Sequence, residues 1–296
     1  MQVTLLVSAL NQNTDELVSK MNYAGDIVIV NQCDKDDIVE KTEKTTNNYD
    51  PDARKENGGI SDNREENDNN FEKNSERKIK IISSSDRGVG ASRNLCIDNS
   101  FGDIILFGDD DIIYNDDAPQ KVSDEFEKHP EADMIMFNVD VCEERRTYRN
   151  EGFNKLSKFN IGRFPAYSIA VRREALISSN VRFSLLFGGG AKYSNGEDSL
   201  FLKDAMNAGI KMYSTETEIG REVPRQSTWF EGYTEKFFFD RGVLFAFLYG
   251  KSAWLWRLRF VLVKKEMFTG KIKRKEANRL IKDGIKEGFE LIKKGN

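Results

Sequence analysis

Five short apolar runs, separated by stretches with helical spacing, set the strongest limit on how this chain can fold. They are "VTLLVSAL" (3–10), "DIVIVNQ" (26–32), "IKIISSS" (79–85), "DIILFG" (103–108) and "ADMIMFNVDV" (132–141). Runs of this length, rich in β-branched residues, read as buried strands. Between them lie "TDELVSKM" (14–21), which opens on a capping residue, "GVGASRNLCIDNS" (88–100) with its Gly-rich start, and "DAPQKVSDEFEKH" (117–129). All three read as helices. Strands alternating with helices at this spacing predict α/β architecture, a largely parallel sheet flanked by helices. Ligands in open sheets of this kind bind at the carboxyl ends of the strands.

One such end is "IILFGDDDIIY" (104–114), where Asp109, Asp110 and Asp111 follow an apolar run. Adjacent carboxylates repel, and burying them is costly unless something pairs with them. A divalent cation would do so, and hard oxygen ligands select Mg²⁺ or Mn²⁺. Such a cation would pair in turn with a diphosphate. A solvated acidic turn explains the triplet equally well. Downstream, "FGGGAKYSNGEDSLFLKDAMNAG" (187–209) reads as a flexible loop followed by a helix stopped at Gly209. Glu197 and Asp198 stand at that helix start, where the macrodipole favours carboxylates. A cap and a general base are both consistent with that position. "RGVGASRN" (87–94) falls short of G-x-G-x-x-G because Arg93 takes the third glycine position. It is either a turn that brings Arg87 and Arg93 to a phosphate or a helix cap with a surface arginine.

Composition narrows the field. Hydrophobic residues make up 39% of 296, partly because residues 40 to about 78 are dominated by Asn, Asp, Glu, Lys and Arg. A segment this polar does not repay its ordering entropy and is expected to be a flexible insertion in a surface loop. Cys33, Cys96 and Cys142 form neither a disulfide framework nor a zinc pattern. Cys96 and Cys142 are expected as small core hydrophobes, in a reducing, cytosolic setting. The lone histidine, His129, is expected in a solvated loop, so chemistry that needs a histidine base or ligand is not anticipated. From Lys251 onward there are 14 basic and 5 acidic residues, so this end is about +9 in a chain of net charge −4. It ends in the basic amphipathic helix "KRKEANRLIKDGIKEGFELIKK" (273–294).

In order along residues 3 to 209, "VTLLVSALNQ", "VIVNQCD", "GVGASRNLCI", "IILFGDDD" and "GEDSLFL" resemble the motif set of family 2 glycosyltransferases, enzymes of the GT-A fold. "STWFEGYTEKFFFDRG" (227–242) is similar to the distal part of members that build bacterial polysaccharides. The resemblance implies a catalytic domain over 1–220 and a C-terminal aromatic and basic helical extension over 221–296. It implies that Asp109 contacts the ribose side of a nucleotide sugar and, with Asp111, the metal that bridges its diphosphate. Asp110 lies between them. Gln32 and Asp34 fall where the base-binding acids lie, although "NQ" replaces the usual acidic pair. An amide can still pair with a pyrimidine edge, which favours Gln32. Arg93 would approach the nucleotide. Asp198 would be the base, supported by Glu197. The implied reaction is inverting, metal-dependent transfer from a nucleotide sugar, preferably UDP-linked, to a hydroxyl of a glycan or lipid-linked acceptor in cell-surface polysaccharide synthesis.

Two other readings stay open: a D-x-D phosphohydrolase, and a module that binds a nucleotide sugar or cation without turnover. No recognition motif for nucleic acid accompanies the basic tail. Lys251, Arg257 and Arg259 interrupt "GVLFAFLYGKSAWLWRLRFVLVKK" (242–265), which excludes it as a membrane span. Trp254, Leu255, Leu258, Val261 and Leu262 share a helical face there. That face is expected to pack on the catalytic domain or to meet an anionic membrane surface. A cytoplasmic location follows, with peripheral contact to the inner face of the plasma membrane as its companion expectation.

Overall fold

A computed structural model describes residues 1–46, 74–143, 146–223, 232–268 and 272–295. Its centre is a sheet built on β1 (Val3–Leu10), β2 (Asp26–Gln32), β4 (Asn74–Ser84) and β5 (Ile104–Asp109). β2 and β5 flank β1, β4 lies outside β2, and all three pairings are parallel. β7 (Met134–Asp140) and β10 (Met212–Glu222) also pair in parallel, and β9 (Ile169–Arg172) joins the two groups by antiparallel pairing with β5 and β7. With β3 (Asp37–Thr46) and β6 (Ile112–Tyr114) at the edges, the order is β3-β4-β2-β1-β5-β9-β7-β10-β6, and β8 (Asn154–Lys155) pairs with β10.

Both sheet faces are covered, as continuous apolar strands require. In β1, Val3, Leu5, Val7 and Ala9 face one core, shared with α1 (Thr14–Met21) and α3 (Ala118–Lys128). Leu6 faces the other, shared with α2 (Val89–Asp98), α4 (Arg173–Ser179) and α5 (Glu197–Asn207). Local chemistry fixes the ends. Asn13 caps α1 by accepting from the backbone N–H groups of Asp15 and Glu16, and Asn22 closes it in the left-handed region.

The polar segment expected to be a loop instead begins and ends as strand. β3 (Asp37–Thr46) pairs antiparallel with β4 from Asp37 opposite Ser83 to Thr46 opposite Asn74. A backbone ladder needs no apolar side chains, and cross-strand charges supplement it: Glu43–Arg77 at 2.7 Å and Glu40–Lys80 at 3.0 Å. The charges also suit an edge strand. Residues 47–73 of the expected insertion lie outside the described residues. Two smaller expectations change as well. Cys96 is buried as anticipated, but Cys142 is exposed just beyond β7. His129 caps α3 and stacks on Phe153, centroids 3.5 Å apart, so its ring is packed.

The C-terminal helices α6 (Glu235–Tyr249), α7 (Ala253–Val263) and α8 (Arg274–Lys293) form their own apolar cluster. α8 buries Ala277, Leu280, Ile281, Gly284, Ile285 and Gly288, a stripe at helical spacing. Glycines let the two backbones touch. A Cβ at Gly284 would lie 2.0 Å from the Phe239 carbonyl oxygen, and one at Gly242 would lie 2.1 Å from that of Ile281. A second cluster ties this unit to the loop and helix before it: Phe187, Tyr193 and Leu200 pack on Val243 and Leu244 of α6.

Gly284→Ala is therefore expected to cost about 2–3 kcal/mol by forcing α6 and α8 apart. Urea unfolding checks this, and an unchanged midpoint would contradict so close a backbone contact.

Candidate active site

Three elements converge at the carboxyl edge of the sheet. β5 ends on Asp109, the turn Asp110–Asp111 leads into β6 (Ile112–Tyr114), and α5 begins with Glu197 and Asp198. α2 crosses beneath and sends Arg93 between them. Its Nη1 donates to Asp198 Oδ1 at 2.8 Å and Glu197 Oε1 at 3.3 Å, while Nη2 donates to Asp109 Oδ1 at 3.0 Å. The Arg93 side chain is only 6% exposed, and its guanidinium lies 5.2 Å from the centroid of the Phe183 ring. Burial opposes its charge, but Asp198, Asp109 and Glu197 more than offset that, so Arg93 stays ionised.

Three carboxylates share one guanidinium, and the consequence falls on Asp198. Burial first, then the negative charge of Glu197, push its carboxyl up to about 7. Asp109 pushes the same way, while Arg93 and a backbone hydrogen bond from Ala166 oppose it. The side chain remains 24% exposed, so its proton can exchange with a molecule bound at this edge. A group that prefers its proton up to neutrality, yet is held by hydrogen bonds, is suited to general base work.

The loop before α5 explains the geometry. Although its three consecutive glycines read as flexible, it is tightly bonded. Val89 N–H donates to the Gly189 carbonyl, Gly188 N–H to that of Tyr193, and Tyr193 N–H to that of Leu186. Gly188 sits at φ +108°, and a Cβ there would lie 2.6 Å from Val89 and 2.9 Å from the Glu197 carboxyl carbon. Asp240 of α6, nearly fully buried, accepts from both N–H and Oγ of Ser194 at 2.9 Å. The loop that presents Glu197 and Asp198 is thus clamped between α2 and α6.

Arg93, Asp109, Glu197 and Asp198 are brought together. Asp110 is half-buried in the turn and Asp111 is buried beside it, with its carbonyl accepting from Val223 N–H at 2.8 Å. Arg93 is turned inward and paired with carboxylates, so a phosphate contact would share or displace one of these pairs. Gln32 is buried, and its Oε1 accepts from Gly88 N–H at 2.7 Å. Its amide oxygen thereby fastens the start of α2. Asp34 is 97% exposed and pairs with Arg87 at 2.6 Å. Sequence reasoning passed over Ser8, which stands opposite Asp109 in the β1–β5 register, and gave no separate part to Asn31 of "NQ", whose side chain exchanges hydrogen bonds with the Gln12 backbone. Both sit at strand ends facing the ligand edge, which is the signal that could have found them.

Among the described residues no group of three or more His, Cys, Asp or Glu side chains is arranged as a metal cage. Asp109 and Asp111 offer hard carboxylate oxygens. Mg²⁺-type cations take one or two carboxylates from protein and the rest from water and phosphates. The donor set therefore fits a cation shared with a diphosphate.

Asp198 holds its proton more tightly folded than unfolded, so its contribution to stability is fully present below about pH 4 and lost as pH rises through about 7. Asp198→Asn is expected to be more stable than wild type at pH 8 by about 1–3 kcal/mol, with the difference shrinking toward pH 4. Urea denaturation at several pH values tests this; a variant less stable than wild type at pH 8 would contradict it.

Similarity to known proteins agrees with this geometry. By structure the chain is similar to residues 1–349 of S. aureus TarS in complex with UDP-GlcNAc, at TM-score 0.54 and 13% identity, over 98% of this chain and 73% of that one. The same TarS fragment in a second structure gives 0.53 and 12%, over 98% and 72%. No curated protein matches the chain. The fold is GT-A, and the model of glycosyl transferase family 2 matches residues 5–178, more than half of the chain. With its acidic strand end and the acidic helix start that Arg93 joins to it, this chain belongs to glycosyl transferase family 2.

Proposed function

We propose that the protein transfers a sugar from a nucleotide sugar to an acceptor hydroxyl in a single, inverting displacement, with Asp198 as the base. The observation that carries this is the Arg93 hub, which joins the diphosphate end of the site at Asp109 to the proton-accepting end at Asp198. The donor is UDP-linked in this reading, as is the sugar nucleotide in the TarS complex. The acceptor is a glycan or a lipid-linked sugar in cell-surface polysaccharide synthesis.

The acceptor oxygen attacks the anomeric carbon while Asp198 takes its proton, and the bond to the diphosphate oxygen breaks on the opposite face. Asp198 can do this near neutral pH because Glu197 and burial keep its proton affinity high. Glu197 holds that affinity and helps anchor Arg93. Arg93 fixes the distance between Asp109 and Asp198, so attacking and leaving groups are aligned when both bind. Asp109 and Asp111 would hold Mn²⁺ or Mg²⁺, which supplies Lewis-acid stabilisation of the departing nucleoside diphosphate. Asp34, exposed at the end of β2 beside Arg87, is the proposed contact on the base side.

Release of nucleoside diphosphate from UDP-sugars, followed with a glycan acceptor, tests this reading. Asp198→Asn and Asp111→Asn are each expected to lower turnover at least about 100-fold while remaining folded. Wild-type kcat/KM is expected to rise with pH and level off above about 7, the value to which the Asp198 carboxyl is pushed. Near-full turnover in either variant would remove the role assigned to that residue.

A further inference from the structure

We infer that the outer face of α7 is a docking surface for an anionic lipid membrane. The inner face of this helix is accounted for. Ala253 and Val261 are buried, Phe260 meets Phe245 edge-on with centroids 5.7 Å apart, and Trp256 stacks on Tyr249 at 4.2 Å. Arg257 hydrogen-bonds to Asn278 of α8. The outer face is not covered by any described residue to a comparable degree: Leu255 is 68% exposed, Leu258 49%, Leu262 58% and Val263 56%. Residues 255, 258 and 262 repeat at helical spacing, so these side chains form one stripe. Single exposed leucines are ordinary, but a contiguous apolar stripe marks a contact surface.

Charge selects the occupant. From Lys251 to Lys265 the chain carries Lys251, Arg257, Arg259, Lys264 and Lys265 and no acid. All of these except Arg257 are exposed. Glu266 is the first acid, 3.7 Å from Lys264. Arg259 lies along the leucine stripe, with its guanidinium 5.3 Å from the Trp256 ring centroid. An apolar stripe rimmed by cations complements acyl chains beneath anionic head groups. A second copy of the same face would set cation against cation.

The helix would lie in the plane of the interface. Its 11 residues span about 16 Å at about 1.5 Å per residue, and no helix of the described residues is long and apolar enough to cross a membrane. The basic helix α8 is not the insertion element, because Ala277, Leu280, Ile281 and Ile285 are buried in the cluster it shares with α6. Lipid docking requires no turnover, so this inference stands or falls apart from the proposed transfer.

Co-flotation of the full chain with vesicles tests it. Wild type is expected to float with phosphatidylglycerol–phosphatidylcholine vesicles at low salt, less so at high salt, and not with phosphatidylcholine alone. The triple variant Leu255→Gln, Leu258→Gln, Leu262→Gln should float at least about tenfold less with an unchanged unfolding midpoint. Arg259→Ala should weaken flotation on anionic vesicles. The inference is overturned if wild type does not float, if it floats equally on phosphatidylcholine alone, or if the triple variant floats like wild type. It is also overturned if wild type is a dimer that the triple variant converts to monomer while neither floats.

Discussion

A single buried guanidinium holds the site together. Taking a charge out of water is costly unless it is paired, and Arg93 is paired three times over, with Asp109, Glu197 and Asp198. Those partners come from two elements far apart in sequence, and their only meeting place is the head of α2. The excess of carboxylate over guanidinium is as important as the pairing. Burial first, and then the repulsion that one guanidinium leaves among three carboxylates, pushes the Asp198 carboxyl up to about 7. Structure and reactivity thus share one cause: the arrangement that positions the carboxylates also sets the proton affinity of one of them.

The C-terminal helices bear on the same point. α6 packs on the segment that carries the acidic pair: Asp240 anchors Ser194, and Val243 and Leu244 pack on Phe187, Tyr193 and Leu200. Lys203 of α5 donates to the Phe247 carbonyl at 2.6 Å. The helix that starts with Glu197 and Asp198 is therefore braced from α6 as well as from α2. The close backbone crossing of α6 and α8 stiffens that brace, and α7 leaves it with an apolar stripe facing outward. In the proposed reading, a membrane-facing helix on the unit that braces Asp198 would hold the site at a fixed orientation to a lipid-linked acceptor.

Period and punctuation made much of the fold readable in advance. The strand β2 and the helix starting at Glu197 lie where alternating apolar runs and helical spacing place them. The ordered set of motifs contains both acidic ends that the fold brings to Arg93. What escaped was whatever depends on partners distant in sequence. The ends of the polar segment form β3 and β4 because a ladder and ion pairs compensate for missing apolar side chains, and only the register reveals them. That Arg93 pairs with both Asp109 and Asp198 is not readable from its place in "GVGASRN". The bond from Gly88 N–H to the Gln32 amide oxygen joins residues 56 apart in the chain, which no local pattern announces. The three glycines of 188–190 suggest mobility, whereas the missing side chain at Gly188 is what allows Val89 and Glu197 to close on the loop.

The central claim is that the Arg93 hub leaves Asp198 as a carboxyl tuned to neutral pH. It is tested most directly by following aspartate carboxyl-carbon resonances through a pH titration, with Asp198→Asn identifying the signal. The account predicts a resonance that titrates near pH 7 in wild type and is missing from the variant. If the signal lost in Asp198→Asn titrates in the ordinary aspartate range, about pH 4, the hub is a structural salt bridge and the proposed base lies elsewhere.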